Sequence, residues 1–313
     1  MQRALVTGGA GFIGAHLVRA LLEQNVEVRV LDNFSTGSRA ALEGLDVDLR
    51  LEDLRNESAL ESAVSGCDVI FHLAAMISVP VSMEDPLTCY DINCSGSVSL
   101  FKAASRAGVH RVVLASSSAV YGEVEGEVYE DTVLNPQSPY ASSKLAMEQA
   151  GFMFVRAFDM EISALRCFNV YGPGQSPDSA YAAAIPLFIR ALLSGETPVI
   201  FGSGEQTRTF VYVEDVIQAN ILAATHPEFS GQVFNIAGNQ TVSILQLLEK
   251  LQSLLPDSKL PKFAAPRPGD IVHSVANIDK ASTALGYRPA IALREGLKST
   301  IEWFQDYSDR KGS

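Results

Sequence analysis

Apolar residues in the first half of the chain follow two alternating rhythms. Arg3 to Val6 is a short, largely apolar run, Ile13, Leu17 and Leu21 recur on one helical face, and Val26, Val28 and Val30 alternate into Asp32. Further strand candidates are Asp48 to Glu52, Val69 to Leu73, Arg111 to Ala115 and Ile162 to Arg166, with helical stretches between most of them. Strand, helix, strand repetition predicts an α/β fold. Parallel strands need long crossovers, and the crossover helices cover both faces of the sheet.

After Gly172-Pro173-Gly174 the rhythm loosens. A loop-rich stretch to Tyr181 leads to a helix near Ile185 to Leu193, short strands at Val199 to Phe201 and Phe210 to Tyr212, and further helices with irregular connections. No internal repeat, low-complexity tract or linker interrupts the chain. The expected division is a cofactor-binding domain over residues 1–172 and a smaller C-terminal α/β substrate lobe over 173–313, with segments crossing back. A binding cleft is expected at their junction.

Composition narrows the partners. The 313 residues are 47% hydrophobic and 19% charged, an ordinary globular balance. A net charge of -12 argues against nucleic acid or an anionic membrane, which would meet a repulsive field. No apolar run approaches a membrane span, and Met1-Gln2-Arg3 runs straight into an apolar strand with no room for a cleavable signal. Cys67, Cys89, Cys94 and Cys167 show neither paired nor metal-ligand spacing, so reduced thiols, a cytoplasmic location and no metal are expected. The Asn-x-Ser/Thr triplets at Asn56, Asn93 and Asn239 carry no weight without a secretion signal.

The first chemical signal is Thr7-Gly8-Gly9-Ala10-Gly11-Phe12-Ile13-Gly14. G-x-G-x-x-G alone is weak evidence, and its bland reading is a plain tight turn. Here it follows a strand and opens an amphipathic helix, where glycines let the backbone approach a pyrophosphate at the helix N-terminus. Asp32 ends the second strand, about 20 residues after the glycines. A carboxylate there accepts ribose hydroxyls and repels a 2′-phosphate, which favours NAD over NADP.

The second signal is Tyr140-Ala141-Ser142-Ser143-Lys144 behind Ser138-Pro139, a helix start with a capping serine. Tyr140 and Lys144 fall four apart on one face. A free phenol titrates near 10, and a neighbouring ammonium and an oxidised nicotinamide would bring it toward working pH. The run Ser116-Ser117-Ser118 follows an apolar strand, so its hydroxyls emerge at the carboxyl edge of the sheet, where ligands bind in open α/β folds. Serines that merely cap the strand end are the alternative reading.

With these motifs the chain resembles the extended short-chain dehydrogenase/reductase superfamily, and within it the nucleotide-sugar 4-epimerases. The resemblance runs through Thr7–Gly14, Asp32-Asn33-Phe34-Ser35, Asp53-Leu54-Arg55, His72-Leu73-Ala74-Ala75, Asn93 with Gly96, the serine run, Tyr140 with Lys144, Arg166 to Pro173, Gln206-Thr207-Arg208 and Arg267-Pro268-Gly269-Asp270. It implies a Rossmann-type doubly wound parallel sheet, with Ser117, Tyr140 and Lys144 as catalytic groups. Asp53 would hold the adenine, and Leu73, Ala74 and Ala75 would line the pyrophosphate and nicotinamide ribose. Gly8, Gly11, Phe12, Ile13, Gly14, Asp32, Asn33, Ser35, Thr36, Gly37, Leu54, Asn93, Ser116, Phe168 and Val170 would complete the NAD site. The resemblance places Asn169, Arg208 and Arg267 at a diphosphate and Phe201 near the base, with Ser78, Ala183, Asp270 and Ser274 around the sugar. Thr209 departs from the pattern, since relatives often carry aspartate after that arginine, as does Ile77, where glycine is expected.

Relatives that eliminate water or carbon dioxide carry an acidic residue after the serines. This chain has Ser118 and Ala119, neither of which titrates. The implied reaction is NAD-dependent 4-epimerisation of a UDP-sugar through a 4-keto intermediate. His72 to Pro80 and Ser179 to Pro186 resemble the branch acting on N-acetylated hexosamines, and the small Ser274 would leave room for a 2-acetamido group beside Ser78. The alternatives are a uronic acid epimerase, a decarboxylase, a dehydratase or a reductase, and outside enzymes a dinucleotide sensor. The helices around Pro86 to Ala107 and Tyr140 to Phe158 resemble those that pair subunits in this family, so a homodimer is expected.

Overall fold

The computed structural model describes residues 1–176, 183–255, 259–266 and 272–312, with side chains as far as 307. Seven strands form one sheet: β1 (Arg3–Thr7), β2 (Glu27–Asp32), β3 (Asp48–Leu51), β4 (Val69–His72), β5 (Arg111–Ser117), β6 (Glu161–Cys167) and β7 (Val233–Ile236). Their spatial order is β7-β6-β5-β4-β1-β2-β3, and each neighbouring pair is parallel. The strand order reverses at β1 and β4, so a crevice opens beyond their carboxyl ends.

Alternate residues of each strand face opposite layers. Val6, Val30, Phe71, Val113 and Leu165 pack with Leu17, Val18 and Leu21 of α1 (Phe12–Glu23). Leu5, Ile70, Val112, Leu114 and Ile162 pack with Leu100 and Phe101 of α2 (Ser97–Ala107) and Met147 and Phe154 of α3 (Pro139–Phe158). A sheet buried on both faces explains its near-continuous apolar runs. Val216, Ile217 and Ala219 of α4 (Val213–Thr225) lie in the first of these layers. β7 and α4 thus come from the second half of the chain and pack within the main sheet's layers.

The remaining strands build a second sheet on Thr207–Tyr212. It pairs antiparallel with Thr241–Ser243, and parallel with His273–Ala276 and Asn169–Tyr171. Val199–Phe201 and Lys262–Ala264 make a separate parallel pair. Ile185, Phe188, Ile200, Leu247 and Leu297 fill the core of this lobe. Among the described residues no helix is long and apolar enough to cross a membrane.

Candidate active site

The turn between β1 and α1 is built around contacts that exclude side chains. Gly8 has φ +71°, and a Cβ there would stand 2.7 Å from the Ala74 amide nitrogen; one on Gly14 would stand 2.1 Å from the Gly8 carbonyl oxygen. Gly11 is the N-cap of α1, where no side chain caps the first-turn amides. Its Cβ position meets only the Gly8 oxygen, at 3.2 Å, so the space ahead of the helix is open. Uncapped amides beside a bare backbone suit a pyrophosphate, which would accept from them at the positive end of the helix dipole.

Asp32 is buried, and its carboxylate fastens the loops around this cradle: Oδ2 accepts from the Ala10 amide (2.9 Å) and Oδ1 from the Phe34 amide (2.8 Å). Each oxygen keeps a lone pair for a hydroxyl. Gly37 closes over the turn, with its Cβ position 2.6 Å from Ala10 backbone atoms. Asn33 spans two neighbours, giving Nδ2–H to Asp53 (2.9 Å) and accepting from the Ser35 amide (3.0 Å). Asp53 also receives the fork of Arg55 at 2.8 and 2.9 Å, and these bonds hold it well below the usual carboxylate range.

Ser138 caps α3 by accepting from the Ala141 amide (3.1 Å), with Pro139 in the first turn. That start puts Tyr140 and Lys144 against the end of β5. The buried Tyr140 phenol faces the Ser117 hydroxyl, and Lys144 Nζ donates to the Ala115 carbonyl (2.8 Å). Burial pushes the phenol up to about 12, with the neighbouring Ser117 hydroxyl opposing it. Burial likewise brings the ammonium down to about 8. In the folded chain one Lys144 N–H is held by a carbonyl, and desolvation is the largest influence on the phenol.

In the second lobe Arg208 is buried, with Nη1 donating to the carbonyls of Thr207 (2.9 Å) and Val272 (3.1 Å). Its strand partner is Ser274. Asn169 Nδ2 donates to the Thr209 carbonyl (2.9 Å), and Gln206 Nε2 holds the carbonyl of Phe201 (2.6 Å). Thr209 knits three strands together, bonding the Thr241 hydroxyl (2.8 Å) and accepting from the Ala276 amide (3.3 Å). Ser78 caps Val79–Glu84, and Ala183 is exposed just before the helix Ala184–Leu193. Arg267 and Asp270 lie outside the described residues.

Residues 4–237 match the model of the NAD dependent epimerase/dehydratase family. The chain belongs to that family. It is 37% identical over 315 residues to the UDP-glucose 4-epimerase of Mycolicibacterium smegmatis, covering 98% of this chain and 100% of the relative. Among solved structures it matches the UDP-N-acetylglucosamine 4-epimerase of Methanobrevibacter ruminantium M1, solved in complex with UDP-N-acetylmuramic acid, with a TM-score of 0.94, 38% identity, and 98% and 99% of the two chains covered. The UDP-glucose 4-epimerase of Thermotoga maritima, solved with UDP-glucose, gives a TM-score of 0.94 at 35% identity over 98% and 100%.

For this member of the epimerase/dehydratase family the structure places three of the residues expected at the cofactor in the interior. Asn93 is fully buried in a π-helical turn, Asp91–Gly96, and its amide is spent on the Met76 backbone and the Ser143 hydroxyl. Ser116 gives its hydroxyl to Glu148, and Phe168 packs inside a cluster with Tyr121 and Val128. Leu54 likewise packs in the core, while Leu73 and Ala74 reach the glycine turn by backbone: the Leu73 amide donates to the Thr7 carbonyl (3.1 Å) and the Ala74 amide to Thr7 Oγ1 (3.3 Å). Sequence reasoning gave no role to Glu148, Arg166 or His72. Their signals were present as Glu148 one turn beyond Lys144, and as Arg166 and His72 inside quoted motifs.

Proposed function

We propose that this protein inverts the C4 carbinol of a UDP-hexose, interconverting UDP-glucose with UDP-galactose and their 2-acetamido counterparts, while keeping its NAD bound. The carrying observation is the buried Tyr140 phenol facing Ser117 at the end of β5, with Lys144 fastened to Ala115 of the same strand, a side-chain-free cradle beside them, and Ser118 and Ala119, which do not titrate, after Ser117. When bound, NAD accepts the C4 hydrogen with its electron pair and gives it back.

The chain's own residues do the rest. Tyr140 takes the proton from the 4-hydroxyl and returns it, Ser117 holds that oxygen, and the Lys144 ammonium stabilises the phenolate. Asp32 accepts a ribose hydroxyl of the adenosine half. Gly8, Gly11, Phe12, Ile13 and Gly14 receive the pyrophosphate, and Arg208, Asn169 and Arg267 hold the nucleotide diphosphate so that the 4-keto sugar turns over between two faces. Phe201 borders the base. Ser78 accepts from the Val81 amide at 3.3 Å, which leaves its O–H to donate to an acetamido carbonyl, and Ser274 leaves the volume.

The same reading includes a homodimer: Met83, Leu87, Tyr90, Met153 and Phe158 stand exposed on Val79–Glu84, Pro86–Tyr90 and α3, where a second copy would cover them. A cytoplasmic location agrees with four free thiols. The test is incubation, without added cofactor, with UDP-, dTDP- and GDP-sugars and UDP-glucuronate, followed by product analysis and measurement of NAD released on denaturation. Epimeric hexose products and released NAD are expected. A pentose or deoxy-keto product would replace the reading with a decarboxylase or dehydratase, and NAD without turnover would point to a sensor.

A further inference from the structure

Tyr140, Lys144 and Glu148 recur at four-residue intervals on one face of α3. Opposite them lie three consecutive residues of β5. Ser117 meets the phenol, the Ala115 carbonyl takes the ammonium at 2.8 Å, and the Ser116 hydroxyl donates to Glu148 Oε1. Glu148 is therefore the third rung of a ladder whose first two rungs are the proposed proton-transfer pair.

This rung is anchored across the sheet. Arg166 of β6 stands beside Ser116 in register and grips Glu148 with both arms of its fork, Nε to Oε1 at 3.0 Å and Nη2 to Oε2 at 2.7 Å. Its Nη1 donates to the Tyr121 hydroxyl (2.9 Å) and the Glu130 carbonyl (3.2 Å), and its plane lies over the Tyr121 ring at 4.8 Å. Tyr121 donates in turn to Asn235 of β7 (2.6 Å), which is in register with Arg166. Ser116, Glu148, Arg166 and Asn235 are all buried. A buried ion pair is an expensive way to join a helix to a sheet, since apolar residues of equal volume serve as well or better. Its return here is geometry and charge: a fixed depth for α3, and a carboxylate one turn from Lys144.

Resting on the epimerase reading, we propose that Glu148, clamped by Arg166, is a positioning residue that sets Ser117 and Lys144 against Tyr140 and keeps the lysine in its ammonium form. The charged and titratable groups around Lys144 are Tyr140 and Glu148 on its own helix, Cys167 and Arg166 from β6, Cys89 from Pro86–Tyr90, and His72 of β4. His72 stays neutral, and burial raises Cys167 to about 12, so both are uncharged at neutral pH. Cys167, Cys89 and then Glu148 oppose the burial that lowers Lys144, and Glu148 is the carboxylate among them.

The test compares the parent with Glu148→Gln and with the double variant Glu148→Leu/Arg166→Met, which removes both charges and so avoids a buried unpaired guanidinium. Folding is checked by thermal unfolding, NAD retention by release on denaturation, and Lys144 is titrated by ¹⁵N-lysine NMR, assigned with Lys144→Met. The double variant is expected to fold and retain NAD, with KM for the UDP-sugar little changed. Its kcat should fall about tenfold or more, the alkaline limb of its pH profile should move down, and the Lys144 resonance should titrate at lower pH. Restoration of most of the rate by Glu148→Asp with Arg166 intact would support the clamp. A folded double variant with parental kcat, pH profile and Lys144 titration would overturn the proposal. If Glu148→Gln alone unfolds, the double variant still decides. A parent with no epimerase turnover would sink the functional reading instead, and the NMR titration would still judge the link between Glu148 and Lys144.

Discussion

His72 titration should be visible in the protein's stability. Ser97 donates to the Asn93 carbonyl (2.6 Å), so at 2.8 Å it must accept from His72 Nε2–H. That fixes the tautomer and leaves Nδ1 to accept from the Thr7 hydroxyl (2.7 Å), which itself accepts from the Ala74 amide. A proton on Nδ1 would force the Thr7 hydroxyl to turn away, in a site where the imidazole is buried. Burial, and secondarily the charge on Lys144, lower His72 from 6.5 to about 3. The unfolded histidine binds its proton near 6.5 and the folded one does not until about pH 3. The unfolded state therefore holds more protons between those values, and stability falls as pH drops below 6.5. At pH 5 the loss from this group is about 2 kcal/mol, at 1.36 kcal/mol per unit of pKa difference. Urea unfolding of the parent and His72→Gln at pH 7 and pH 5 measures it. The variant should be weaker at pH 7 by about 1–3 kcal/mol for lost hydrogen bonds, yet lose about 2 kcal/mol less than the parent on acidification. Equal acid losses in the two proteins would refute the argument.

Replacing Tyr140 by Phe should cut kcat by about 10²–10⁴ with KM little changed, because the phenol acts on a proton in flight rather than on ground-state binding; steady-state kinetics check this. Gly8→Ala puts a methyl 2.7 Å from the Ala74 nitrogen at a positive φ, so NAD released per protein molecule should fall well below the parental amount. Arg208→Gln should raise KM for the UDP-sugar about 10- to 100-fold, the worth of one or two charge-assisted hydrogen bonds, as read by kinetics or calorimetric titration.

The chain's pattern revealed what periodicity encodes. Val26, Val28 and Val30 alternate because all three face the layer of α1 while Glu27 and Arg29 between them turn to the other side of the sheet, and Tyr140 and Lys144 share a face because a helix turn takes 3.6 residues. β7 went unread, since Val233–Ile236 carries a buried asparagine and finds its place only by pairing with β6, some seventy residues upstream. Which serine of the run meets the phenol was equally invisible from the strand pattern. It depends on where β5 ends and on its face: Ser116 points with Leu114 toward α3, while Ser117 stands at the edge. The burial that raises the Tyr140 phenol was also illegible, because spacing reports proximity and says nothing of desolvation.

No linker marks the boundary between the lobes, and the hydrogen bonds explain why. Asn169–Tyr171, in the second sheet, begins two residues after β6 ends, and α4 returns to the main sheet directly after Thr207–Tyr212. Asn235, at the end of the buried ladder, gives its amide to the carbonyls of Val128 (3.1 Å) and Asn277 (3.2 Å), while Tyr287 donates to Ala237 (2.9 Å). Val128 belongs to the strand that pairs with His273–Ala276, so the ladder reaching Glu148 also reaches the edge of the sheet that carries Arg208. The distance between the Tyr140 phenol and Arg208 is thus set by short covalent connections and satisfied buried amides. On the proposed reading, such a frame would hold the nucleotide end of a substrate at fixed reach while its sugar turned, which inversion at a single carbon requires.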